Sequence, residues 1–244
     1  MGARRLDDDV PTDHCAISTE RIVRGRVIVS LDYGEVRYLR MARTVFGRAS
    51  YWTGVYLVDG LLVDSGPPNL AREVARLCRE LPVRQCVTTH HHEDHSGNHR
   101  LLAERLGIRP LAHALGVAPI AAPEPLPLYR RLTWGAPRAA DTDPLGERLE
   151  TPTHRFEVLH TPGHTPGSQC FLVQDNLVSG DTLFIQACGR CDMPGGDPEQ
   201  MYHSLKRLSE LDEKTVLFPG HNYSDAPTST IGQEKRSNPY LQNQ

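Results

Sequence analysis

The chain has 244 residues and a formal net charge of -3, with a pI near 6.5, so it carries no overall basic field for nucleic acid. No apolar run reaches the roughly eighteen residues that a membrane span needs, and 39% hydrophobic with 23% charged residues is ordinary for a soluble globular protein. Met1-Gly2-Ala3-Arg4-Arg5 leads into Leu6-Asp7-Asp8-Asp9 instead of an apolar core, so no secretory signal is read and the cytoplasm is the expected compartment.

The length suits a polar segment at 1–20, ordered only by docking, followed by a single α/β domain over 21–244. Residues 21–30 and 36–40 have the composition of strands. Residues 54–58 and 61–64, joined by Asp59-Gly60, give a strong hairpin signal, because that dipeptide supplies positive φ. Residues 68–81 have helical periodicity with Pro68 at the start. A buried strand is expected over 83–88, and a helix over 96–106 with Ser96 as its capping residue. A short strand near 109–112 and a turn of helix follow.

Prolines crowd 119–152, with Tyr129, Leu132 and Trp134 among them. This stretch reads as a loop-rich insertion that either lids a pocket or lays Leu126, Leu128 and Trp134 over exposed core. Strands are expected at 156–159, 169–173, 177–179 and 216–218. A helix over 198–211 is opened by Asp197 as N-cap and Pro198 at the first helical position. Periodicity alone supports a mixed α/β sandwich without internal repeats.

The run Thr89-His90-His91-His92-Glu93-Asp94-His95 places four histidines and two acids in seven residues. Imidazole nitrogen mixed with carboxylate oxygen suits zinc or iron. Residues two apart share one side of an extended strand, so His90 and His92 form a pair and His91 points elsewhere. The pair would emerge from the C-terminal end of the 83–88 strand, where open α/β sheets place their sites. Asp94 and His95 then lie at the mouth of the next helix.

Three later segments reinforce the first. His164 sits in the Pro/Gly loop Thr161-Pro162-Gly163-His164-Thr165-Pro166-Gly167-Ser168, Asp181 ends the short apolar stretch Asn176-Leu177-Val178-Ser179-Gly180, and His221 follows Phe218-Pro219-Gly220. The six cysteines, Cys15, Cys78, Cys86, Cys170, Cys188 and Cys191, read mostly as free buried thiols. Cys188 and Cys191 form a Cys-x-x-Cys, a redox pair or half of a zinc site, yet no second such pair completes it.

In this order the segments resemble the metallo-β-lactamase-fold superfamily, from about Thr53 to the C terminus. The resemblance implies a four-layer αββα sandwich. It also implies one metal on His90, His92 and His164, a second on Asp94, His95 and His221, and Asp181 bridging both. Two divalent ions, zinc first, are the expected cofactors. The segment Cys188-Gly189-Arg190-Cys191-Asp192 and the closing stretch 229–240 look most like the glyoxalase II and persulfide dioxygenase branch.

Two divalent cations against Asp94, Asp181 and a bridging hydroxide leave about one net positive charge. Such a centre lowers the pKa of bound water toward about 7 and stabilises an oxyanion. Hydrolysis of a small thioester or ester-like substrate by metal-bound hydroxide is therefore the leading expectation, with Asp94 also able to orient the nucleophile. No Gly-x-Ser-x-Gly elbow competes.

Persulfide dioxygenases use one iron at positions matching His90, His164 and Asp181, which is the alternative. A ribonuclease or other phosphodiesterase, or a non-enzymatic binder, stands further off. Roughly twenty residues follow His221, so a full glutathione-binding domain is not expected. Arg190 and Tyr223, with Lys235 and Arg236, are candidate substrate contacts for an anionic tail, against the alternative of ordinary surface groups. The expected partner is a small molecule, with a homodimer the other candidate and neither nucleic acid nor a membrane foreseen.

Overall fold

Alternation of apolar side chains builds two sheets whose facing sides exclude water. The computed structural model describes residues 19–23, 26–45 and 48–242. Its first sheet takes strands in chain order: β1 (Thr19–Val23), β2 (Arg26–Tyr33), β3 (Val36–Val45), β4 (Arg48–Val58), β5 (Leu61–Val63), β6 (Gln85–Val87), β7 (Leu111–Ala112) and β8 (Asp143–Pro144). Neighbours are antiparallel as far as β5, and β5 to β8 run parallel.

Then come β9 (Leu149–Glu150), β10 (Arg155–His160), β11 (Gln169–Val173), β12 (Asn176–Gly180), β13 (Leu183–Phe184), β14 (Ala187–Cys188), β15 (Val216–Pro219) and β16 (Ser229–Thr230). β13 and β14 pair as a hairpin. The others form the second sheet in the order β16, β15, β12, β11, β10, β9, with β12 and β15 parallel. The helices are α1 (Ala71–Glu80), α2 (Glu93–Ser96), α3 (His99–Leu106), α4 (Ala114–Ala121), α5 (Leu128–Thr133), α6 (Pro198–Ser209) and α7 (Ile231–Ser237).

The period of two in each strand sorts side chains into three apolar layers. Tyr38, Tyr56, Leu61, Val63 and Val87 of the first sheet meet Phe156, Phe171, Val173, Val178 and Phe218 of the second. Their neighbours Leu39, Val55, Leu57, Leu62 and Cys86 point the other way, against Val74 and Cys78 of α1 and Leu102 of α3. On the far side, Cys170, Leu177 and Leu217 pack under Met201, Leu205 and Leu208 of α6 and Ile231 of α7. The result is the four-layer αββα sandwich. Truncating a fully buried member such as Phe171 to alanine costs about 3–5 kcal/mol on this kind of packing.

Local signals account for several joints. Asp59 and Gly60 both have positive φ, 45° and 85°, which fits the mirror-image hairpin turn read from the sequence. Asp197 caps α6, its Oδ1 accepting from the amides of Glu199 and Gln200 at 3.0 Å each, with Pro198 at the first helical position. Pro68 opens a 3-10 turn that leads into α1.

Other expectations are corrected. The strand foreseen over 21–30 is two antiparallel strands, β1 and β2, and β3 and β4 run further than 36–40 and 54–58. The helix foreseen over 96–106 is broken into α2 and α3, because Asn98 turns aside to the 65–67 loop: its Nδ2 donates to the carbonyls of Ser65 (2.8 Å), Gly66 (2.8 Å) and Pro67 (3.1 Å). Ser96 is not the cap of the longer helix. Its Oγ donates instead to the carbonyls of His91 and His92.

The insertion begins at Pro119, inside the last turn of α4, and holds all of α5. Residues 1–18 of the polar segment, Cys15 included, lie outside the described residues. No described helix is long and apolar enough to cross a membrane.

Candidate metal centre

The parallel strands β6, β12 and β15 end on one side of the sandwich, the place where such sheets gather ligands. Past β6, Thr88 and Thr89 lead to His90 and His92, and α2 follows at once with Asp94 and His95. His164 sits in the loop between β10 and β11. Asp181 and His221 follow the ends of β12 and β15. All seven residues named from the sequence converge there.

Their ligand atoms form three overlapping groups, each with atoms within 4.8 Å of one another: His90, His92 and His164; His90, His95 and Asp181; Asp94, His95 and His221. Asp181 stands between the outer two. Its Oδ1 is 3.3 Å from His95 Nε2, and its Oδ2 is 3.5 Å from His164 Nε2 and 3.4 Å from His221 Nε2. Asp94 Oδ2 is 3.1 Å from His221 Nε2. His91 joins none of these groups.

The outward nitrogens decide which inward ones are free. The Nδ1–H of His164 donates to the Arg190 carbonyl at 2.7 Å, that of His221 to the Trp52 carbonyl at 2.8 Å, that of His95 to Asp64 Oδ2 at 2.7 Å, and that of His90 to Thr89 Oγ1 at 3.1 Å. Each arrangement fixes the tautomer and leaves a lone pair on Nε2, the usual outer-sphere support of metal-ligating histidines. With the rings neutral, the inward atoms have no proton to share. His92 Nδ1 lies 3.1 Å from His90 Nε2 and 2.9 Å from His164 Nε2, His95 Nε2 lies 3.4 Å from His221 Nε2, and buried Asp181 Oδ1 receives no hydrogen bond. Lone pairs crowded this closely fit cations between them, so the donor set suits two divalent ions.

Titration follows the same division. Burial, with the neighbouring imidazoles, holds His90 and His92 well below the ordinary histidine range, so both are neutral ligands at pH 7. Burial also works against charge on His95 and His221, but carboxylates outweigh it: Asp64, Asp181 and Asp94 push His95 up to about 10, and Asp181 and Asp94 hold His221 well above its usual value, so this half of the cluster calls for positive charge, which protons or a metal ion can supply. Asp94 and Asp181 stay ionised despite burial because His95 and His221 face them.

Sequence reasoning passed over Asp64, which supports both threonines and a ligand. Its carboxylate accepts from Thr88 Oγ1 (2.8 Å), the Thr89 amide (2.7 Å), Thr89 Oγ1 (2.9 Å) and His95 Nδ1 (2.7 Å), with its side chain 1% exposed. The available signal was an acid closing the apolar run Leu61-Leu62-Val63. Glu93 was passed over too. It is buried on α2 and takes a two-point ion pair from Arg130 of α5, Nε at 2.7 Å and Nη2 at 2.6 Å, which ties the insertion to the metal-ligand turn.

Among the candidate substrate contacts, Tyr223 lies beside His221, ring centres 6.0 Å apart. Arg190 is paired in two-point fashion with Asp192, and Lys235 and Arg236 both reach Glu213. Cys188 and Cys191 are half-buried free thiols, and burial pushes Cys188 up to about 11, which keeps it protonated at neutral pH.

Close backbone approach also shapes the centre. A Cβ on Gly220 would fall 2.3 Å from Asp181 Oδ1 and 2.8 Å from the Gly180 carbonyl carbon. Gly220→Ala is therefore expected to push the Asp181 carboxylate aside, cost about 1–3 kcal/mol of stability by overpacking, and weaken metal binding at least about tenfold. Competition with a chelator measures this. Unaltered metal affinity would show that Asp181 is not held in place by this contact.

The profile of the metallo-beta-lactamase superfamily matches residues 54–221, a span that contains every ligand candidate. A hydroxyacylglutathione hydrolase from Photobacterium profundum is 32% identical over 177 residues, covering 72% of this chain and 63% of that protein. The chain thus spans less than two thirds of that hydrolase. Among solved structures, ETHE1 from Myxococcus xanthus superposes with a TM-score of 0.63 at 27% identity, covering 79% of this chain and 80% of that one. TTHA1623 in a di-iron-bound form superposes with a TM-score of 0.64 at 33% identity, covering 78% of this chain and 96% of that one.

Proposed function

From the premise that the chain belongs to the metallo-β-lactamase superfamily, we propose that it is a dinuclear metal-dependent hydrolase of small thioesters or similar acyl esters. One metal falls to His90, His92 and His164, the other to Asp94, His95 and His221, with Asp181 shared. The observation that carries this reading is the completeness of the second group: Asp94, His95 and His221 stand within ligand range of one another beside the first group. The set permits a second ion, which a mononuclear centre would leave out.

Two bound divalent ions would supply a water acidified toward about pKa 7 and a polarised acyl oxygen. The chain's own residues do the rest. Asp64, Thr89 and the carbonyls of Arg190 and Trp52 hold the imidazoles so that Nε2 faces inward. Asp94, buried and ionised, is placed to orient the attacking water as well as to bind metal. The Cys188 thiol, held protonated, is a poor nucleophile, in keeping with attack by water.

A second reading is an iron-dependent oxygenase of the persulfide dioxygenase type on His90, His164 and Asp181. The likeness to ETHE1 favours it, and the di-iron form of TTHA1623 keeps iron in view for either reading. Metal analysis of the purified protein, run beside assays for thioester cleavage and for oxygen uptake with a glutathione persulfide, separates the two. We expect two divalent ions per chain and thioester cleavage without oxygen uptake. One iron per chain with persulfide-dependent oxygen uptake would replace the hydrolase by the oxygenase.

A further inference from the structure

We infer that the acyl portion of the substrate is apolar and seats on an aromatic rim beside His221, an inference that rests on the hydrolase reading. Four rings from separate segments build the rim. Trp134, Phe184 and Tyr223 lie with ring centres 5.7, 5.9 and 6.0 Å from His221, Phe184 meets Tyr223 edge-on at 5.6 Å, and Tyr51 meets Trp134 edge-on at 5.9 Å. Tyr51 and Tyr223 are 61% and 70% exposed, and Phe184, 5% exposed, backs them. Apolar surface left open beside a reactive centre marks a place where something binds.

The rim is held in place before any substrate arrives. Trp134 follows α5, whose end is held by three hydrogen bonds from two residues: the Asn69 amide donates to the Trp134 carbonyl at 3.0 Å, Asn69 Nδ2 to the Thr133 carbonyl at 2.7 Å, and Arg43 Nη1 to the Leu132 carbonyl at 2.7 Å. Tyr51 is an exposed non-glycine residue in the left-handed region, φ 56°, a conformation that costs energy. A rigid wall of this kind reduces the ordering cost of binding.

Charge on this side argues against an anionic acyl group. Among the described residues, Arg130 is held by Glu93, Arg190 by Asp192, and Lys235 and Arg236 by Glu213, while Arg40 lies over the Trp52 ring, 4.8 Å from its centre. The ring faces are themselves electron-rich. Methylene and aryl groups gain most by covering them.

The test uses zinc-loaded protein and N-acetylcysteamine thioesters of acetyl, butanoyl, hexanoyl and phenylacetyl groups. With up to about fourfold per buried methylene, kcat/KM should rise at least about tenfold from acetyl to hexanoyl. Tyr51→Asn and Trp134→Ala should compress that ratio to below about threefold while metal content stays the same. Asparagine tolerates the left-handed backbone at an exposed position, so folding is not at stake in the first variant.

Calorimetric binding of the S-hexyl and S-ethyl thioethers of N-acetylcysteamine, which cannot be cleaved, gives a readout independent of turnover. The hexyl compound should bind at least about tenfold more tightly. A flat acyl series, or equal binding of the two thioethers, overturns the inference. Thioether discrimination without any thioester cleavage supports the rim and counts against the hydrolase reading alone.

Discussion

Asp181→Ala is expected to abolish activity and to lower metal affinity by at least about a hundredfold, because the proposed arrangement shares this ligand between both ions, whereas loss of an outer partner alone costs about 10- to 100-fold. Charge explains the size of the effect. Two divalent ions opposed by Asp94, Asp181 and one hydroxide leave about one positive charge in a buried hollow, and without Asp181 they leave about two. The added charge is poorly solvated there, since His90, His95 and Asp94 are almost wholly inaccessible to water. His91→Ala is the matched control. It removes an imidazole from the same turn that belongs to none of the three ligand groups, so metal content should hold and turnover change little. Metal analysis of the two proteins side by side decides it, and full metal loading of Asp181→Ala would refute the shared-ligand arrangement.

The centre was legible because its residues are unusual where they stand. Histidines and acids at the ends of apolar strands have no packing role, and the order of the four segments narrowed the arrangement further. The layers were legible from alternation, as in Leu61-Leu62-Val63, where the outer two residues face one layer and the middle one the other. What escaped depended on contacts between distant segments. Ser96 has the chemistry of a helix cap, yet its hydroxyl is taken by the carbonyls of His91 and His92, and the anchoring of Asn98 to residues 65–67 breaks the helix there. The rings around His221 come from residues 51, 134, 184 and 223, which no local pattern connects. Asp64 escaped for a similar reason. It looks like the last residue of a hairpin strand until β5 pairs in parallel with β6, Val63 opposite Val87, which sets the carboxylate against Thr88 and Thr89.

Asp64→Asn is the substitution that tests that support, since asparagine keeps the size and tolerates the φ of 65° found there. The carboxylate now accepts at both oxygens. An amide offers one acceptor and one donor group. If its oxygen stays with the Thr89 amide, the NH2 faces His95 Nδ1, and the ring must move its proton to Nε2, where it blocks the metal. If its oxygen turns to His95, the NH2 meets the Thr89 amide and two donors oppose each other in a fully buried site. Either outcome weakens the group of Asp94, His95 and His221 first. We expect affinity for the second ion to fall about 10- to 100-fold and stability to drop by about 3 kcal/mol, with the ion on His90, His92 and His164 the last to leave. Asp59→Asn, also at positive φ but on the hairpin turn bonded to Thr153, should leave metal binding as it was. Stepwise chelator titration with calorimetric melting reads both quantities. If Asp64→Asn binds two ions as tightly as the parent protein and melts at the same temperature, the tautomer of His95 is not set by Asp64, and the preorganisation of the second group must lie elsewhere.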